Sequence, residues 1–92
     1  MEKMDPDMIQ GQLEAVGEWS LNGESLQRTF SHDDFAGSMA FVNAVATMAE
    51  AAEHHPDILI RCTKVTLTLT THDAGGLTSK DFELAKAIDA AS

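Results

Sequence analysis

Basic residues are scarce in this chain: six Lys and Arg stand against fifteen Asp and Glu, giving a net charge of −9. A surface that neutralises phosphates needs many cations, so the balance argues against nucleic acid and against anionic membrane surfaces as partners. Cysteine occurs once, at Cys62. No internal disulfide can form, and the expected setting is the reducing cytoplasm. No apolar run approaches the ~20 residues of a membrane span. The opening "MEKMDPDMIQ" lacks the apolar segment of a signal peptide. Repeats, linkers and low-complexity tracts are absent as well. These absences exclude places and partners without naming an activity.

What is present is an ordinary globular composition, 43% hydrophobic and 23% charged over 92 residues. That length makes one domain, 1–92, which buries roughly 60–65% of the surface its unfolded form exposes. The first element reads as a short helix: Asp5 caps it, Pro6 suits its first position, Ile9, Leu13 and Val16 share a face, and Gly17 ends it. "EWSL" and "SLQRTF" read as two strands joined at Asn22-Gly23, a hairpin signal because both residues tolerate positive φ.

The central element is a long helix over "DDFAGSMAFVNAVATMAEAAE", with Phe35, Met39, Val42, Val45, Met48 (or Ala49) and Ala52 as its apolar stripe. Ser31, with Asp34 three residues on, is the predicted capping box. Pro56 disfavours helix at His55, so the helix stops just before it. "PDILIR" and "KVTLTLTT" then form two strands turning near Cys62-Thr63; in the second, Val65, Leu67 and Leu69 alternate with Thr66, Thr68 and Thr70. His72 ends that strand, and "DAGG" is a loop. A last helix opens on a capping box, Thr78 with Asp81, and a hydrophobic staple, Leu77 with Phe82; Phe82, Ala85 and Ile88 face inward. The order α-β-β-α-β-β-α predicts an α+β two-layer sandwich, a four-stranded antiparallel sheet with helices on one face.

Three of the four histidines, His54, His55 and His72, stand where elements end, with Glu50, Glu53, Asp73 and Asp81 near them. Glu50 and His54, four apart, share a helix face, where a carboxylate orients or charges the imidazole. Strand ends beside helix termini are common places for small-ligand pockets. Each residue also has an ordinary explanation. A histidine at a helix C-terminus is more often a stabilising cap. Asp81 is fully explained by the capping box, Glu50 and Glu53 by a solvated surface, and the threonine row by the wet face of a sheet. His32 reads as surface. Three histidines suit zinc, but adjacent ones point apart, whereas helical metal pairs favour i,i+4. Cys62 has no spacing that ties it to a base, and no Ser lies in a nucleophile elbow. Spacing alone reaches a histidine acid–base site and stops.

The runs "AEAAEHHPD" and "LTTHDAGGLTSKDFELAKAID" go further. With A-E-x-x-x-H-H-P followed by T-H-x-x-x-G-L-(S/T)-x-x-D, the sequence resembles the pterin-4a-carbinolamine dehydratases over roughly residues 13 to 90. Trp19 and the segment from Phe30 to Phe35 are similar to the family too. The resemblance implies dehydration of a 4a-hydroxytetrahydropterin to quinonoid dihydropterin, a hydro-lyase reaction that recycles the tetrahydropterin cofactor of other enzymes and needs neither metal nor organic cofactor. It implies His54 and His72 as acids serving the hydroxyl, and His55 as the residue that binds and orients the pterin. Glu53, Thr70, Thr71 and Asp73 flank the trio and, with Glu50, line the pterin pocket; Asp81 matches the terminal Asp and supports His72. It also implies a homodimer or homotetramer.

Departures lie away from the histidines: Ile58 where many members have Trp, Cys62-Thr63 where many have Tyr-Asn, His32 in place of a Phe, and an extra Glu18. The competing reading is a non-catalytic protein-binding module on the same fold, since some relatives serve as dimerisation or assembly partners. A protein that only binds proteins has no need of the trio, which is complete here.

Overall fold

Asp5 opens the first helix as the sequence predicts. In the computed structural model, which describes residues 2–92, its side chain accepts from the Met8 amide at 2.9 Å. Helix α1 runs Pro6–Leu13 and tightens into a 3₁₀ turn, Glu14–Val16, ending at Gly17. Strands β1 (Ser20–Asn22) and β2 (Ser25–Ser31) follow, then α2 (Phe35–Ala52), β3 (Asp57–Arg61), β4 (Lys64–Leu69) and α3 (Ser79–Ala91). The sheet is antiparallel throughout, ordered β1-β2-β4-β3. The expected α+β order is the observed one.

Strict alternation in β4 decides the layering. Val65, Leu67 and Leu69 are fully buried. They pair with Phe30, Arg28 and Leu26 of β2 on one side. Ile60 and Ile58 of β3 meet Val65 and Leu67 on the other. Phe41 and Val45 of α2, and Phe82, Ala85 and Ile88 of α3, complete one core with Val16 and Trp19. Arg28 is the one charged side chain on this inner face of β2. Its guanidinium lies 4.2 Å from the Phe30 ring centre and donates to Asp89 at 2.8 Å, where Trp19 Nε1 also donates. The opposite face is open and carries Thr29 bonded to Thr66 and Gln27 bonded to Thr68.

Several local expectations need correction. Asp34, not Ser31, caps α2, accepting from Gly37 N at 2.7 Å. Ser31 is held extended in β2 opposite Lys64, which removes it from the helix entrance. The buried face of α2 is Ser38, Phe41, Val45 and Ala49; Phe35 is 55% exposed, and Met39 only half-buried. At the first hairpin, Asn22 pairs with Ser25, and Gly23 alone takes positive φ, at 63°. His32 is not a surface residue: its ring lies 5.0 Å from that of Phe41, and its buried Nε2 has no partner among the described residues.

Candidate active site

Helix α2 ends at Ala52 because Glu53 turns left-handed, φ 52°, with its amide capping the carbonyls of Ala49 and Glu50. The chain therefore leaves the helix before the histidines. His54 turns inward and is 11% exposed at its side chain, whereas that of His55 stays 62% exposed. The i,i+4 pairing of Glu50 with His54 does not form. Glu50 Oε1 lies 2.9 Å from His55 Nε2 instead, since the exit at Glu53 brings the fifth residue, not the fourth, back over that turn.

His54 finds its partner across the fold. Its Nε2 is 2.5 Å from Oδ1 of Asp81, whose side chain is fully buried. The other oxygen, Oδ2, accepts from Thr71 Oγ1 at 2.8 Å and from Thr78 N at 2.9 Å. Asp81 thus completes the predicted capping box of α3 and anchors His54. The expected support of His72 is not direct: among the described residues Asp81 bonds His54, Thr71 and Thr78, and makes no hydrogen bond to His72. A buried carboxylate needs such partners, because an unpaired buried charge is strongly unfavourable. Since donors occupy Oδ2, the shared proton lies between Oδ1 and Nε2, which leaves Nδ1 of His54 free for other chemistry.

His72 does not end a strand. Beta-strand β4 stops at Leu69, and His72 opens a 3₁₀ turn, His72–Ala74, that Gly75 closes with φ 75°. A bridge between Thr71 and Gly76 pins the base of this loop. The loop brings His72 and Asp73 to the exit of α2. There, His54, His55, His72 and Glu53 line one cleft of about 260 Å³, with Thr70, Thr71 and Asp73 in its wall. The adjacent pair His54-His55 and the distant His72 thus line the same cleft. Glu50 is not part of that wall; it stands behind His55. Thr71 is 9% exposed and Thr70 Oγ1 is committed to the Glu24 carbonyl at 2.7 Å, so both hold the wall more than they offer groups to a ligand.

Sequence reasoning overlooked Lys80, which also lines the cleft. The signal was available: Lys80 sits in the first turn of α3 beside Asp81, and helical side chains lean back toward the N-terminus. With His54 it also borders a second cavity of about 510 Å³ between α2 and α3, floored by Met48, Ala51, Ala52 and Leu84. Among the described residues, no three His, Cys, Asp or Glu side chains come together as a metal site. No helix among the described residues is long and apolar enough to cross a membrane.

Residues 2–91 match the family model described as pterin 4 alpha carbinolamine dehydratase. A protein of Acidobacterium capsulatum, provisionally named pterin-4-alpha-carbinolamine dehydratase, is 48% identical over 90 residues, 98% of each chain. One of the same provisional name from Chloroflexus aurantiacus is 53% identical over 89 residues, 97% of this chain and 96% of its own. Among solved structures, a transcriptional coactivator/pterin dehydratase from Brucella melitensis superposes with a TM-score of 0.91 at 28% identity, covering 97% of both chains. A pterin dehydratase-like RuBisCO assembly factor of the alpha-carboxysome superposes at 0.64 with 26% identity, over 78% of this chain and 83% of its own. With the match running through both histidine motifs and nearly every residue of the fold, the chain belongs to the pterin 4 alpha carbinolamine dehydratase family.

Proposed function

We propose that this protein dehydrates a 4a-hydroxytetrahydropterin to the quinonoid dihydropterin by histidine acid–base catalysis. The observation that carries the reading is the cleft shared by His54, His55 and His72, with His54 anchored on a buried carboxylate. The reaction breaks the C4a–O bond and forms a double bond between N5 and C4a. An imidazolium gives its proton to the departing hydroxyl, which leaves as water. The N5 proton is lost to the cleft and restores the donor, so atoms and charge balance with no change of oxidation state. Imidazole suits both transfers because its unperturbed pKa is ~6.5.

His54 and His72 serve the hydroxyl, and exposed His55 binds and orients the ring. Glu53, Asp73 and Lys80 form the polar rim. The protein works in the cytoplasm as a homo-oligomer; the exposed free thiol of Cys62 suits a reducing compartment.

A second reading, assembly partner of another protein, is favoured by the likeness to the RuBisCO assembly factor. The complete trio weighs toward catalysis. The deciding experiment generates the carbinolamine in situ and follows dihydropterin formation with purified protein, with and without EDTA. Turnover unaffected by EDTA is expected. Folded protein that leaves the spontaneous rate unchanged would overturn the enzymatic reading, and activity lost to EDTA and restored by zinc would overturn the metal-free mechanism.

A further inference from the structure

Thr71 sits beside His72 in sequence, and its side chain points away from the role that adjacency suggests. It is buried, 9% exposed. A hydroxyl has one hydrogen. That of Thr71 goes to Asp81 Oδ2 at 2.8 Å. The 2.8 Å contact with Thr78 Oγ1 must therefore run the other way, with Thr78 donating. Thr71 and the Thr78 amide together supply two donors to Oδ2, and that fixes the plane of the carboxylate. The plane in turn fixes where Oδ1, and with it the His54 imidazole, can lie.

The backbone of the same residue does a different job. The Thr71 carbonyl accepts from the amides of Ala74, Gly75 and Gly76 at 3.1, 3.1 and 3.3 Å, and the Thr71 amide donates to the Gly76 carbonyl at 3.2 Å. Every one of these bonds closes the loop that carries His72. One residue thus ends both chains of support.

We infer that Thr71 is a positioning residue that sets His54 and His72 relative to each other, its hydroxyl acting through Asp81 and its backbone through the loop. The inference rests on the dehydratase reading for its kinetic readout alone. A buried threonine that merely fills space predicts something different, because valine fills nearly the same space.

The test compares Thr71→Val and Thr71→Ser in the full chain. Misplacing a reacting group by ~1 Å costs about 10²-fold. Thr71→Val is therefore expected to lower kcat on the order of 10–100-fold with KM little changed, and Thr71→Ser to restore kcat to within a few-fold. In parallel, NMR of the His54 ring reads the Nε2–H proton shared with Asp81. That signal should persist in the wild type and in Thr71→Ser, and shift or broaden in Thr71→Val. If Thr71→Val does not fold, the smaller Thr71→Ala carries the same expectation.

A valine variant with wild-type kcat and an unchanged His54 signal overturns the inference. So does a serine variant as impaired as the valine one, since the methyl group would then be what matters. If the wild type shows no dehydration, the functional reading fails, while the His54 signal still decides the role of Thr71.

Discussion

Asp81 joins the cap of α3 to the imidazole of His54, and the two duties use different oxygens. In Asp81→Asn the amide nitrogen must face either two N–H or O–H donors at Oδ2 or the His54 ring at Oδ1. The second placement is the less unfavourable, and it forces His54 to accept rather than donate at Nε2, reversing its tautomer. The expected outcome is a loss of about 1–3 kcal/mol in thermal unfolding, as for a weakened buried polar group, together with a large fall in turnover. Lost stability with intact turnover would reduce Asp81 to a helix cap. His55→Ala is the contrasting case. Its imidazole and its partner Glu50 are 62% and 78% exposed, and exposed ion pairs are worth at most about 1 kcal/mol. The variant should melt close to wild type yet lose about 10²–10⁴-fold in kcat, as removal of a positioned acid–base or orienting group does. A near-normal rate would remove His55 from the site. The trio itself was legible in the sequence, through H-H-P and T-H within two separated motifs. Its partners were not. Which carboxylate meets which imidazole depends on the residue at which α2 stops, and the helical i,i+4 rule silently assumed that α2 continued through His54.

At the scale of elements, boundaries are set by residues that leave the ordinary backbone regions, and here two of them are not glycine. Glu53 ends α2 at φ 52°, and Cys62 begins the β3–β4 turn at φ 56°. Left-handed backbone costs a side-chain-bearing residue roughly 1–2 kcal/mol relative to the right-handed form, and glycine avoids that penalty at some entropic cost in the unfolded chain. Cys62→Gly is therefore expected to stabilise by about 0.5–1 kcal/mol, which is roughly 2–8 °C in Tm for a domain of this size. Cys62 lies outside the cleft wall, so turnover should not change. A lower Tm would mean that the thiol makes a compensating contact. Strand β4 was legible because its alternation admits one inner face only. The face of α2 was not, because apolar residues surround much of that helix. The expected stripe held Val45 and Ala49, which are buried, but it opened on Phe35 and Met39, whereas the buried face runs through Ser38 and Phe41, a fraction of a turn around. Periodicity finds a helix more readily than it finds the side that will be buried when both sides are apolar.

For the molecule as a whole, the sheet order leaves β1 and β3 as edges. Strand β1 is three residues long and turns back at Gly23. Strand β3 is longer, five residues, and carries Leu59, 54% exposed on the open face, with charges only at its two ends, Asp57 and Arg61. Edge strands in stable monomers are usually blunted by lysine, proline or a bulge along their length. The middle of β3, Ile58 to Ile60, has none of these. A chain of 92 residues also has a core of modest size, so burying further apolar surface by self-association is a direct route to stability. Closed symmetry makes a two-fold dimer, or a pair of such dimers, the simplest assembly. Light scattering at micromolar concentration should therefore return a dimer or tetramer mass. Leu59→Lys, which places a charge in the middle of the longer edge, should shift that mass downward while leaving the monomer fold intact by circular dichroism. A wild-type chain that scatters as a monomer would refute the assembly. A Leu59→Lys variant with an unchanged oligomer mass would instead move the interface away from β3.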